Sequence, residues 1–313
     1  MKTVIIGAGA VGSYFGGQML KSGLDVTLLA RDAHYTALST EGLTVKTVEG
    51  SFHLHDVPVV SAIPDIYRPE LVLIFVKTIS TQQVTVELRE VLQPSTLVIT
   101  FQTGLDNDLQ WQKALRHPLV FPGLAYINAQ RTAPGFVEQI SGPGSLIFGS
   151  RPSQQDNERL QDVLHLLQQA HLNIELAADI VQEMWIKLIW ISAFAGLTAV
   201  YRSAVAPILN DAVGLDLFRQ CLLEAQTIAR ASNICLPEEL DQRLWDRIAF
   251  YREQDHQVKT SLLLDMESGR LTEVETIHGA LVRHARAAGV ETPALDLIYS
   301  VINLYNTSIA NNG

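Results

Sequence analysis

A parallel α/β domain followed by an all-helical domain is the fold this sequence predicts, and three observations predict it. Apolar, β-branched runs alternate with helix-compatible segments through the first half, and a glycine-rich turn follows the first run directly. After Ala178 those runs stop, and apolar residues recur at helical spacing almost to the end. The chain has 313 residues, 47% of them apolar and 18% charged, which is enough for two domains with a core each. The expected division is 1–177 and 178–313.

In chain order, Thr3 to Ile6, Asp25 to Leu29, Leu71 to Val76 and Thr96 to Thr100 read as strands. Their continuous apolar character suits strands buried on both faces. Ser13 to Ser22 is helix-compatible. Between Leu119 and Gly149, Pro and Gly punctuate short strand candidates, so the sheet is expected to continue with antiparallel or mixed pairing. Asn157 to Gln169 reads as a helix and Asn173 to Leu176 as a last strand. In the second half Asp179 can cap a long helix to about Val200, Pro237 opens another, Thr272 and Glu275 have capping-box spacing, and Thr292-Pro293 starts the last. The apolar stretch from Leu188 to Tyr201, between Lys187 and Arg202, is shorter than the roughly 20 residues a spanning helix needs. It reads as a buried core helix.

A formal charge of −10 with no basic cluster argues against nucleic acid or an anionic membrane as partner. The two cysteines, Cys221 and Cys235, form neither a metal-like cluster nor a paired redox motif, so no metal site is expected and a reduced, cytoplasmic setting is. Lys2 before an apolar run superficially suggests a signal peptide, but glycines at 7, 9, 12, 16 and 17 would spoil one.

Gly7-Ala8-Gly9-Ala10-Val11-Gly12 joins the first strand to a helix, the context in which a dinucleotide fingerprint has physical meaning. Gly7 would permit the tight turn, Gly9 the approach of a pyrophosphate, and Gly12 close helix–strand packing, with helix N–H donors aimed at the phosphates. The bland alternative is a glycine turn without a ligand; strand–turn–helix placement favours a Rossmann-type cofactor site. At the end of the second strand, where NAD-specific folds carry an acid, stand Ala30 and Arg31. A guanidinium there suits the 2′-phosphate of NADPH, which is favoured over an exposed loop arginine although Asp32 adjoins it. Lys77 closes the strand from Leu71 and is either a ligand contact at the carboxyl edge or a snorkelling surface lysine.

Lys187 interrupts a helix apolar almost all round, from Met184 to Ile191. A buried ammonium is costly without a partner or a task, and desolvation against a nearby carboxylate can tune it for proton donation to a carbonyl oxygen. A lysine whose head escapes along the helix flank fits equally. Ser261 can be explained as a helix cap and Glu273 as an acid at the positive end of a helix dipole. None of the nine histidines is placed for acid–base work; His278 and His284 suit helix packing or surface.

Over its whole length the chain resembles the ketopantoate reductase (2-dehydropantoate 2-reductase) family. The likeness lies in the glycine motif, Ala30-Arg31, Val76-Lys77, Gln102-Thr103-Gly104, Pro134-Gly135-Phe136-Val137, Trp185 to Leu188, and Ser261 to Glu273. It implies a Rossmann-type NADP-binding domain and an all-α domain like the C-terminal one of 6-phosphogluconate dehydrogenase. It also implies NADPH-dependent reduction of a 2-oxo acid, by default ketopantoate on the route to pantothenate, and a homodimer. Carried over, Lys187 is proton donor and substrate contact, Ser261 contacts substrate, and Glu273 is a carboxylate near the cofactor. Arg31 and Lys77 bind the adenosine phosphate end, with Thr103 and Ala129 by the nicotinamide half. The family's usual asparagines are replaced by Thr103, Ile191 and Ala195, so a less polar keto compound competes with ketopantoate as substrate. Ser192 offers a hydroxyl nearby at different spacing. The reading from another class is a regulator that binds NADPH without turnover.

Overall fold

The computed structural model describes residues 1–154, 157–253 and 258–312. Met1–Gln102 and Asp106–Ile180 form one compact unit, while Thr103–Leu105 group with the chain from Val181 onward in a second.

The first unit contains β1 (Thr3–Ile6), α1 (Ala10–Lys21), β2 (Val26–Leu29), α2 (Asp32–Thr40), β3 (Leu43–Thr47), β4 (Gly50–Leu54) and β5 (Val59–Val60). It continues with β6 (Leu71–Ile74), α3 (Thr81–Val91), β7 (Leu97–Thr100), α4 (Asn107–Leu115), β8 (Val120–Ala133), β9 (Phe136–Phe148), α5 (Asn157–Gln168) and β10 (Asn173–Leu176). The strands lie in the order β4-β3-β9-β8-β7-β6-β1-β2-β5, with β10 on β9. From β5 to β8 every neighbour is parallel. Ile6 is level with Leu29 and with Ile74, and Ile74 with Thr100, so four strands end along one carboxyl edge.

Both faces of this sheet are covered, which is why its strands read as unbroken apolar runs. Ile5, Leu28 and Leu73 pack with Phe15, Met19, Leu160 and Val163 on one side; Val4, Ile6, Val72 and Val98 pack with Val84, Leu88 and Trp111 on the other. The predicted mixed pairing is present in β8 and β9, but as two strands of 14 and 13 residues rather than several short ones. Pro122, Gly142 and Gly144 lie inside them, and the pairing shifts register repeatedly. Pro and Gly mark irregularities there rather than strand ends.

The second unit contains α6 (Ile180–Tyr201) from its second residue on, α7 (Val205–Asn210), α8 (Ala212–Ala231), α9 (Leu240–Glu253), α10 (Ser261–Glu267), a π-helical turn at Glu275–Gly279, α11 (Ala280–Ala288) and α12 (Pro293–Asn312). By length and composition α6 could cross a membrane, but 78% of its most apolar window is buried, as a core helix requires. Three local expectations change. The helix expected at Pro237 starts at Leu240, whose N–H closes a turn on the Pro237 carbonyl. Thr260, not Ser261, caps α10, accepting from the Leu263 N–H. Thr272 and Glu275 form no capping box. Asn306 of α12 takes both the N–H and hydroxyl of Thr272, while Glu275 is drawn to Arg283 and Tyr299. Distant partners outcompete the local motif.

Candidate active site

At the carboxyl edge of the first unit, β1 lies between β2, reached through α1, and β6, which follows on its other side. This reversal of strand order is where open α/β sheets bind ligands. Gly7 opens the turn at a φ of +97°, and a Cβ on it would lie 2.7 Å from the backbone nitrogen of Val76. Gly12 packs so closely that a Cβ would lie 2.2 Å from the Gly7 carbonyl oxygen. Gly9 differs, because a Cβ there would meet nothing within 4 Å. Packing explains the glycines at 7 and 12; open space adjoins the middle one. Ala10 and Val11 begin α1, whose first N–H groups lack partners within the helix.

Arg31 follows β2 on an extended backbone and is exposed, and Asp32 after it takes a φ of +53°. Lys77 follows β6 and precedes a short 3₁₀ turn at Thr78–Ser80. The glycine turn, Arg31 and Lys77 therefore share one sheet edge. Sequence reasoning missed the clasp behind Lys77. Buried Gln102 donates to the Val76 carbonyl at 2.8 Å and to the Thr81 hydroxyl at 3.2 Å, and accepts from the Trp111 indole at 2.7 Å. Thr103, the next residue, belongs to the second unit. Ala129 lies on β8 opposite Gln139, beyond Pro122, where the pairing of β8 with β7 ends.

In the second unit Lys187 is 6% exposed among buried Trp185, Ile186, Leu188, Ile189 and Trp190. Burial pulls its ammonium down from the usual lysine range to about 8, and the Glu273 carboxylate pushes back up. Two readings were open for this lysine, and its side chain does not escape to solvent. Glu273 is half-buried just before the π-helical turn, and its carbonyl accepts from the N–H groups of Thr276 and Ile277. Ser261 is exposed at the first position of α10. Its neighbour Thr260 is hydrogen-bonded at 2.8 Å to Thr198, roughly three turns of α6 beyond Lys187. Asp265 and Arg270 pair across the intervening turn at 3.0 Å. Ile191 and Ala195 stand one and two turns past Lys187 on its side of α6, and half-buried Phe194 packs against Trp190 and Tyr251. The Ser192 hydroxyl is turned back onto the Ile189 carbonyl of its own helix, fully buried.

His278 is fully buried on the π-helical turn and its Nε2 donates to the Ser192 carbonyl at 2.9 Å. Gly196 admits the ring, since a Cβ there would lie 2.5 Å from Nε2. A π-turn adds a residue to the helical winding, and this one is locked to α6 just downstream of Glu273. Nδ1 of His278 has no hydrogen-bond partner among the described residues. Burial holds this imidazole down at about 4; His34 of the first unit is likewise held at about 4, by burial and then by Arg131. Both are neutral in the fold, so their effect is absent above pH 6.5, where the unfolded histidines are neutral too. As pH falls from 6.5 toward 4 the unfolded chain binds protons the folded one refuses, and stability drops by up to about 3 kcal/mol per histidine. Urea midpoints should therefore decline through that window, and His278→Gln should flatten the decline; an unchanged slope in the variant would remove His278 from this account.

No group of three metal-binding side chains occurs among the described residues. Both cysteines are free, and burial pushes the Cys221 thiol up to about 12, far from a reactive thiolate.

The family described as "Ketopantoate reductase PanE/ApbA" matches residues 3–153, and its "C terminal" counterpart matches residues 179–306. A 2-dehydropantoate 2-reductase of a Nostoc species is 25% identical over 95% of this chain and 93% of its own. The crystal structure of 2-dehydropantoate 2-reductase from Geobacter metallireducens superposes with a TM-score of 0.89 at 28% identity, covering 97% of this chain and 99% of that one. A dimeric ketopantoate reductase from Staphylococcus aureus superposes with a TM-score of 0.84 at 26% identity, covering 99% and 100%. With the Rossmann-like sheet, the helical unit that follows it and both family matches in agreement, this chain belongs to the ketopantoate reductase family, oxidoreductases that act on a CH–OH group.

Proposed function

We propose that this protein reduces a 2-oxo acid with NADPH, using Lys187 as the proton donor. The observation that carries the reading is a lysine enclosed in the apolar α6, where burial lowers its ammonium to about 8 and the Glu273 carboxylate opposes that. An ammonium in that range is charged enough to stabilise a developing alkoxide and acidic enough to release its proton. Glu273 keeps it from becoming neutral too early.

Gly7, Ala8, Gly9, Ala10, Val11 and Gly12 would hold the pyrophosphate, which the open space over Gly9 supports. Arg31 and Lys77 would take the adenosine phosphate end, Arg31 through the 2′-phosphate. Thr103, Ala129 and Glu273 are proposed near the nicotinamide half. When bound, the reduced nicotinamide supplies the hydride. Lys187 orients the keto oxygen and gives it a proton, and Ser261 engages the substrate. The relative from Staphylococcus aureus supports a homodimer.

Ketopantoate is the family's default substrate, and one observation favours a larger, less polar acid. Ile191, Phe194 and Ala195 extend the Lys187 side of α6 as an apolar surface, next to Trp190 and Tyr251. Such a lining cannot hydrogen-bond a hydroxylated acid, which loses its water without replacement. NADPH absorbance should be followed with ketopantoate and with branched or aromatic 2-oxo acids. The larger acids are expected to give the higher kcat/KM, and Ile191→Asn should move preference toward ketopantoate by about 10-fold or more. No oxidation with any 2-oxo acid would leave the regulator reading in its place.

A further inference from the structure

Ala8, in the middle of the glycine turn, is held from both ends of its residue. Its N–H donates to the Leu29 carbonyl of β2 at 2.9 Å, and its carbonyl accepts from the Ser13 hydroxyl at 3.0 Å. Ser13 is fully buried, and its oxygen lies 3.2 Å from Nε2 of His34, itself buried on α2. On the other side of that ring, Nδ1 lies 3.0 Å from the backbone nitrogen of Gly135. Gly135 turns the β8–β9 hairpin at a φ of +76°, and its carbonyl is taken by the Thr44 N–H of β3.

These contacts allow one proton arrangement. A backbone N–H can only donate, so Nδ1 of His34 accepts and the ring proton sits on Nε2. Nε2 then donates to the Ser13 oxygen, whose own proton goes to the Ala8 carbonyl. The chain of donors runs from Gly135 through His34 and Ser13 to the turn. Burial and Arg131 keep the ring neutral, as this arrangement requires, against a weaker opposing pull from the Ala8 backbone, which the ring also approaches.

The consequence lies in the next peptide plane. Across a trans peptide the carbonyl oxygen and the following N–H point to opposite sides. Drawing the Ala8 carbonyl inward onto Ser13 therefore turns the Gly9 N–H outward, at the residue where a Cβ would meet only open space.

We propose that His34 is a positioning residue for dinucleotide binding, acting through Ser13 to set the direction of the Gly9 N–H, with the Pro134-Gly135 turn as its anchor. This rests on the reading of the glycine turn as a dinucleotide site. The imidazole is too deeply buried to be a surface contact, and it stands behind the turn as a brace.

The test measures NADPH affinity by the change in nucleotide fluorescence on binding to the full chain, together with melting temperature and kcat at saturating NADPH. Ser13→Ala and His34→Ala should each weaken NADPH by about tenfold while saturating kcat stays within about twofold. His34→Gln should recover much of the affinity, because its amide offers one acceptor and one donor at the spacing of the two ring nitrogens. Unchanged affinity in both alanine variants, whatever their melting temperatures, overturns the proposal. So does an equal loss of affinity and saturating kcat, which a general loosening of the fold would give. If His34→Ala fails to fold, Ser13→Ala decides alone. Wild-type protein that binds no NADPH refutes the underlying reading instead, a result separable from the others.

Discussion

Lys187→Ala is expected to lower kcat by about 10²–10⁴-fold, the range for losing a positioned general acid, while NADPH affinity stays nearly unchanged. The lysine is enclosed in α6 and interacts electrostatically with Glu273, and in this reading it acts on the keto oxygen and not on the phosphates. The pH profile provides a second signature. The donor must carry its proton, so reduction should fall as pH rises through about 8. Removing the negative charge with Glu273→Gln takes away the influence that raises the lysine, leaving burial unopposed. The falling limb should then move to lower pH. An unshifted limb in that variant, or full activity in Lys187→Ala, would remove the pair from the chemistry.

Arg31→Ala is expected to weaken NADPH by about 10- to 100-fold and NADH hardly at all, because charge-assisted contacts to a 2′-phosphate exist only with the first. Its position supports this. It leaves β2 at the carboxyl edge, next to the glycine turn, with its side chain exposed. Asp32 sits beside it in a left-handed conformation, and any repulsion from that carboxylate would also act on the phosphate alone. Equal losses for the two cofactors would undo the assignment. Affinities should be compared at several salt concentrations, since an exposed phosphate contact is screened.

Much of the fold was legible because its signals are local. A buried parallel sheet forces continuous apolar strands, and Thr3 to Ile6, Leu71 to Ile74 and Leu97 to Thr100 carry that mark. The glycine turn is local in part: Gly12 answers to Gly7 and to Ile5 of β1, whereas Gly7 answers to Val76 and Phe75 beyond β6. Signals failed where a distant residue took over a local motif. Thr272 looks like half of a capping box until Asn306 occupies it, and Thr260 takes the capping role that Ser261 was expected to fill. Pro122 and Gly142 look like strand ends until the long hairpin absorbs them as irregularities.

The candidate site divides in the same way. Lys187 was conspicuous as one charge in an apolar helix, but spacing alone left open whether its head reaches solvent. Ser261 and Glu273 stood out only through family likeness. Gln102 was legible only as part of a family motif and His278 only as a packing or surface residue, while His34 gave no signal, because the partners of each lie far away in sequence.

By itself the sequence determined two domains, their classes, the glycine turn and an anomalous lysine, since each follows from periodicity or from the conformational needs of neighbouring residues. Only the tertiary structure decided that Lys187 is buried, with burial lowering its ammonium and Glu273 opposing that, and that Ser13 and His34 are hydrogen-bonded behind the turn. Desolvation and hydrogen-bond direction depend on what chain folding packs around a group, and a residue's own neighbours in sequence do not specify that.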